Sequence, residues 1–393
     1  MEARFKKEHI FLVALISLGI FLRFFVMCIG HNYDFESYCV VGEISSHFRN
    51  VYAETHRYNY GPIFLVIQGL LYTIANFSLT WEPEYYRVLM VSVLTLADLG
   101  IACIIAYRYG IKKAMLFFLN PISIIITGYH NQFDNIAIFF ALMSILFYNQ
   151  DKNFSKKDFF FVVFLSLSLI TKHILFTFPL FILLQKGLPT KKRVLFSFVP
   201  PIAFLVSFLP FAFQSPEALN GIIRNVFLYK SMNNSPLLSI IYQFIGFPMD
   251  YGIIVFGLLM VLTAFICRNL DYEKQIFVYL IALVTFSSAI ANQYLVIPMA
   301  AIIVLETGVI KYIYILVASI YLALDINGLA LAYRLINQVM PQPIIFACEK
   351  YIQYAYTLLT WILFASLLYY LFKKEQIQTK FAKKLPKNYS KGV

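Results

Sequence analysis

Two carboxylates, Asp34 and Glu36, stand in the stretch HNYDFESY, just past an apolar run that ends near residue 29. A carboxylate at such a boundary can simply solvate a helix end, or it can serve as a general base or ion ligand. A second stretch, GYHNQFDN, places His130, Asn131, Gln132, Asp134 and Asn135 between two apolar runs. A plain turn needs only about two to four polar residues, usually with Gly or Pro. Side chains that donate and accept hydrogen bonds at this density suit a site that orients a sugar or a phosphate. Lys172 and His173 lie inside a long apolar stretch, where ionisable groups are costly unless they meet water, a partner or a ligand. An anionic head group would suit both. The bland alternative is a turn between two short spans, with Lys172 snorkelling outward. Arg57 and Tyr60 sit in HRYNYGP, Arg224, Lys230 and Arg334 are loop cations, and Gln293-Tyr294 precedes Pro298.

The elements that must position these residues are membrane helices. The chain has 393 residues, 60% hydrophobic and 13% charged, with a mean hydropathy of +0.73. A soluble domain is roughly half apolar and about a quarter charged. Several runs reach the roughly 17–25 apolar residues that a bilayer-crossing helix requires. They are continuous rather than alternating, which excludes a β-barrel. The net charge of +12 falls in short clusters between apolar runs, the pattern of orientation signals and not of nucleic-acid binding. Five scattered cysteines without CxxC spacing indicate neither a disulfide framework nor a zinc site. The basic lead at Arg4, Lys6 and Lys7 resembles a signal peptide, but the apolar stretch behind it is too long, and it reads as a retained first span.

If every basic cluster is cytoplasmic, about twelve spans follow, with both termini inside. The expected fold is therefore all-α and polytopic, with a large first outer loop, residues 30–87, carrying interfacial helices. In this scheme residues 61–78 lie at the interface, and residues 158–185 form two short spans. Residues 1–195 read as a catalytic transmembrane module. Residues 196–372 read as a C-terminal module with outer loops 213–236 and 325–350. Residues 373–393, with seven lysines, read as a basic cytoplasmic tail. Nearly all the unusual polar chemistry then gathers on the outer face.

Taken in order, these segments resemble the GT-C superfamily of polytopic glycosyltransferases, nearest to the ALG-type glucosyltransferases and the bacterial mannosyltransferase-like membrane proteins. DFESY resembles the family's first-loop acidic motif. RYNYGP resembles its Y-P-P segment, with Ile63 in place of the second proline. YRVLMVSVLTLADL resembles its second-span pattern, with Arg87 and Asp98. GYHNQFDN resembles G-H-F-Q-Y-N, KHILFTFP resembles K-Q-x-x-L-x-x-x-P, and NQYLVIP a late motif. The match covers roughly residues 10–185 with one later anchor. It departs from the pattern at Asp134, where the family tends to an uncharged residue, and at Asn59, where it tends to an acidic one.

The resemblance implies a polyprenyl-phosphate sugar donor, a glucose or mannose residue to transfer, and a hydroxyl acceptor on a lipid-linked glycan or envelope polymer. It implies an inverting transfer with one carboxylate as base, unlike glycosidases, which use two. Asp34 is the expected base and Glu36 a supporting hydrogen-bond acceptor. Lys172, His173 and one or more of Arg224, Lys230 and Arg334 would hold the phosphate. His130, Gln132 and Asp134 would orient sugar or acceptor, with Arg57, Tyr60, Gln293 and Tyr294 as further binding residues. The loop 213–236 would act as a lid. No cofactor is expected, although Asp34 and Asp134 leave a divalent metal site open. The expected location is a bacterial inner membrane with the site on the periplasmic or extracellular face. A transporter or lipid flippase is the alternative, resting on Asp98 in mid-span. A third is a scaffold subunit of an envelope complex.

Overall fold

A chain this apolar has no water to bond its backbone at membrane depth, so its peptide groups must be satisfied within helices. The computed structural model describes residues 2–77, 83–229, 251–287, 291–305, 308–324 and 354–371, with Phe244 and Gly246, and every regular element among them is a helix. Among the described residues four helices are long and apolar enough to cross a bilayer: His9–Ile29, Pro83–Tyr109, Thr190–Ala212 and Tyr354–Leu371. The number becomes six if two bent pairs each count as one span, and shorter apolar helices such as Gly252–Cys267 accompany them.

Helix α1 (Glu2–Ile29) leads into three elements of the expected outer loop, α2 (Tyr33–Ser46), α3 (Val51–Glu54) and α4 (Pro62–Asn76). Ser45 of α2 donates to the Leu65 carbonyl of α4 at 2.9 Å. Helix α4 buries Phe64, Leu65, Leu71 and Tyr72 but exposes Val66, Leu70 and Ile74. An apolar stripe left outward on a short helix suits a place at the membrane interface.

Helix α5 (Pro83–Tyr109) then runs to α6 (Ile111–Phe118) and α7 (Pro121–Gly128), which meet at 46°. The bend has a local cause. Pro121 cannot continue the hydrogen-bond ladder, and Asn120 caps the second half by accepting from the Ile122 amide at 3.0 Å. Helices α8 (Asp134–Phe147) and α9 (Lys156–Thr171) follow. One expectation changes here. The chain from Lys156 to Leu184 is not two short spans side by side but a helix pair bent by 112°, with Lys172 in the corner. Helix α10 (Phe178–Leu184) completes that pair, and α11 (Thr190–Val206) runs straight through the expected module boundary at 195.

Four of these helices converge on one buried carboxylate. Asp98 of α5 takes a salt bridge from Arg23 of α1 at 2.8 Å, both side chains having no exposure. It also accepts from Ser123 at 3.1 Å and Thr127 at 2.7 Å, both on α7, and from Asn135 of α8. Arg23 also donates to Ser123 Oγ at 2.9 Å, to the Gly19 carbonyl at 3.0 Å and to the Phe118 carbonyl at 3.0 Å, at the end of α6. The guanidinium therefore bonds a carbonyl at the α6–α7 break, and it lies 4.3 Å over the Phe118 ring. The mid-span Asp98 that would suggest a transporter is a fully bonded packing node.

Two outcomes follow. Asp98→Asn removes the charge that balances Arg23 and turns an all-acceptor group into one that also donates. It is expected to cost about 3–5 kcal/mol, the scale for breaking a buried ion pair, read as a lower thermal-unfolding midpoint in detergent. The second concerns topology. The Cys39 thiol is partly buried, and burial, with Glu36 and Glu84 nearby, pushes it up to about 12, so it reacts slowly. Glu36→Cys in a cysteine-free background is the better probe and is expected to label from the outer face with an impermeant maleimide. Lys112→Cys is expected to label only after the membrane is opened. Labelling of position 112 from outside would mean that α4 crosses the bilayer.

Candidate active site

The acidic stretch forms the start of α2, and its cap is built for Asp34. Asn32 is the N-cap residue, its side chain accepting from the Asp34 amide at 3.1 Å, a common way to satisfy a free helix-end amide. The Asn32 amide nitrogen donates to Asp34 Oδ2 at 3.1 Å and lies 3.1 Å from His130 Nδ1. Gln132 also donates to Asp34 Oδ2. The Tyr38 hydroxyl donates to the Gln132 side-chain carbonyl at 3.2 Å, which fixes which way that amide faces. Both donors address one oxygen, so Asp34 Oδ1 has no hydrogen bond among the described residues. Burial raises the Asp34 pKa above its ordinary value. Bonds from Asn32 and Gln132 and the charge of Lys172 oppose the rise.

The turn between α7 and α8 delivers these contacts. Asn131 sits at φ +53°, a left-handed conformation that Asn tolerates better than most residues. Its amide donates to the Thr127 and Gly128 carbonyls, each at 3.0 Å, and Arg87 donates to it at 3.1 Å. Arg87 also bonds the Gly30 carbonyl, so one guanidinium ties the ends of α1 and α7 to α5. His130 is buried, and burial lowers its pKa to about 4. It is neutral near pH 7, which suits Nδ1 accepting from Asn32.

Beside this stands a second buried pair. Lys172 Nζ lies 2.7 Å from Asp134 Oδ2, with 4% and 0% side-chain exposure. The snorkelling alternative is thereby corrected: the corner at Lys172 turns the ammonium inward, where Asp134 receives it. Its Nζ also faces two rings, Tyr60 at 4.9 Å and Phe133 at 4.7 Å, a favourable electrostatic arrangement for a desolvated cation. Phe133 stacks on Phe64 at 3.6 Å, and Tyr60 meets Phe133 edge-on at 4.8 Å. The RYNYGP segment reaches this position through Gly61. A Cβ there would lie 1.9 Å from the Ile170 carbonyl at the end of α9, so no other residue allows so close an approach.

A cavity of about 290 Å³ opens on Lys172. Tyr60, Lys172, His173, Gln293 and Tyr294, all among the expected binding residues, line it. Phe176, Phe256, Leu283, Val284 and Ile297 form its apolar wall. His173 Nδ1 is buried with no hydrogen-bond partner among the described residues. Asn59, Thr177, Tyr229 and Tyr279 also line the cavity. The sequence argument did not propose them as site residues, and three lie where a Tyr or Thr is unremarkable in a membrane chain.

Other expected residues lie elsewhere. Asp34, His130, Gln132 and Asp134 do not line the cavity but stand behind its Tyr60–Lys172 side. Glu36 is exposed and makes no hydrogen bond or ion pair among the described residues. The segment is helical, so residues two apart face different ways, and Glu36 does not support Asp34. Arg57 lies over the Tyr33 ring at 5.0 Å. Arg224 lines a separate outer hollow with Glu54, His56 and Glu217, not the Lys172 cavity. Lys230, Arg334 and loop 325–350 lie outside the described residues, as does the expected lid beyond residue 229. Among the described residues no three His, Cys, Asp or Glu side chains are grouped to hold a metal ion, and Lys172 already occupies one Asp134 oxygen.

The all-helical architecture is that of a known membrane-protein fold. Two solved structures share it. ArnT from Cupriavidus metallidurans in the apo state is 14% identical, with 97% of this chain and 82% of that chain covered and a TM-score of 0.52. The same protein bound to undecaprenyl phosphate is 14% identical, with 96% and 81% covered and a TM-score of 0.53. No family model matches the sequence, and no curated protein matches it.

The Lys172–Asp134 pair generates a stability prediction. Lys172→Met strands a buried carboxylate and is expected to cost about 3–5 kcal/mol, whereas Lys172→Met with Asp134→Leu should regain most of it. Calorimetry in detergent would measure both. A double variant no more stable than the single would mean that the two side chains do not act as a pair.

Proposed function

We propose that the protein is a membrane glycosyltransferase that moves a hexose, glucose or mannose, from a polyprenyl-phosphate donor to a hydroxyl of a lipid-linked glycan or envelope polymer. One observation carries this reading. A carboxylate with one oxygen held by two donors and the other without a donor among the described residues stands behind the Tyr60–Lys172 side of a lysine-headed cavity with an apolar wall. The polar head of the cavity suits a phosphate and the wall suits the first units of an isoprenoid chain. The fold shared with ArnT, one structure of which holds undecaprenyl phosphate, supports the same donor class.

In the proposed reaction the acceptor oxygen attacks the anomeric carbon from the face opposite the phosphate. The new C–O bond forms as the bond to the phosphate oxygen breaks, with its electrons leaving on the phosphate. The configuration at that carbon inverts. Asp34 Oδ1 takes the acceptor proton. Lys172 has donors beyond the one given to Asp134, and with His173 and Tyr294 it stabilises the departing polyprenyl phosphate. Charge stabilisation by fixed donors of this kind is often the largest part of catalysis.

The test is to incubate the purified protein in detergent with synthetic polyprenyl-phosphate glucose, mannose and other sugars plus a glycolipid acceptor. Release of polyprenyl phosphate from one of them is the expected result. Asp34→Asn keeps the shape and removes the basicity, and is expected to lower turnover by about 10²–10⁴-fold, the usual scale for a general base. Protonated Asp34 cannot accept a proton, so turnover falls as pH drops through its pKa. That pKa is raised, so the acid limb should lie above the ordinary Asp range. Parental turnover by Asp34→Asn would remove Asp34 as the base.

A further inference from the structure

At the end of α9 opposite to Lys172, α9 and α11 run side by side from a common starting end. The third residue of each pairs with the other: Lys192 Nζ lies 2.7 Å from Asp158 Oδ1, both fully or nearly fully buried. A groove of about 590 Å³ runs between them from there, walled by Phe159, Val162, Leu195, Val199 and Ala203. It lies in a lipid-facing surface, since Phe159, Val194, Phe198 and Ile202 of the same two helices are exposed. Four exposed lysines lie in the chain close to the residues at its Phe154–Asp158 end or at the paired start of α11: Lys152 on the approach to α9, Lys156 and Lys157 in its first turn, and Lys191 in the first turn of α11. The acids nearby do not offset them. Asp158 is neutralised by Lys192, and Asp151 is single. Both helix N-termini also point their free amides to this end, adding to the positive field.

We propose that this groove is a binding site for an anionic phospholipid, with the head group among Lys152, Lys156, Lys157 and Lys191 and an acyl chain along the wall between α9 and α11. The charge selects the head group. Basic pockets between membrane helices hold acidic head groups in this way. The continuous apolar wall requires a chain, which a soluble anion lacks. Phe154, exposed at the mouth and lining the groove, closes over the glycerol region. This site does not rest on the proposed transfer reaction and would exist whatever the enzyme's sugar.

Native mass spectrometry of the purified protein with phosphatidylglycerol or phosphatidylcholine tests it. The unmodified protein is expected to retain phosphatidylglycerol in preference, and raising the salt should weaken that preference because exposed charges are screened. Replacing the four lysines by glutamine should reduce the preference about tenfold or more. Val163→Trp, which fills the groove with the lysines intact, should reduce phosphatidylglycerol binding as well. Equal retention of the two lipids by the unmodified protein would overturn the proposal. So would an unchanged preference in the four-lysine variant, or full binding by Val163→Trp, since the chain would then lie elsewhere.

Discussion

The fold turns on the burial of one opposite-charge pair, Arg23 with Asp98. Neither could stay charged alone in an apolar bundle, because an unpaired ion there loses its hydration without return. Together they spend most of their strong bonds on other helices. Arg23 reaches the break between α6 and α7, and Asp98 reaches Ser123, Thr127 and Asn135. Apolar packing between membrane helices has no strong preference of register. A four-helix junction of charges and hydroxyls does.

That register is what the candidate site uses. Thr127 and Asn135 stand on either side of the turn that carries His130, Asn131, Gln132 and Phe133. With both flanks bonded to Asp98, the turn has little freedom, and Arg87 fastens its middle to α1 through Asn131 and Gly30. The turn can then hold Asp34 through Gln132 and present Phe133 to Lys172. The site is thus one layer above a structural node, and its precision derives from that node.

Much of this was legible in the sequence, and the failures have physical reasons. The three polar stretches stood out because the apolar background makes any dense polar run conspicuous, and the structure brings DFESY, GYHNQFDN and TKH together. What the letters do not carry is direction. Glu36 looks equivalent to Asp34 until the stretch becomes a helix and turns it to solvent. The partners of Asn135 and His130, which are Asp98 and Asn32, come within reach only from distant positions in the chain. For Lys172 the sequence leaves snorkelling open as an alternative to a ligand site, because the counter-ion Asp134 lies 38 residues away. Tyr229 and Tyr279 are two among 28 tyrosines, and nothing local sets them apart.

The side-chain amide of Gln132 has a head and a tail, and Tyr38 decides which end meets Asp34. With the Tyr38 hydroxyl occupying the carbonyl end, the amide can offer Asp34 only hydrogens. Oδ2, already given donors by Gln132 and Asn32, is a poor place for a further proton. A proton gained by Asp34 therefore rides on Oδ1 and must leave from Oδ1. The carboxyl group is thereby one-sided, with only Oδ1 left without a donor among the described residues.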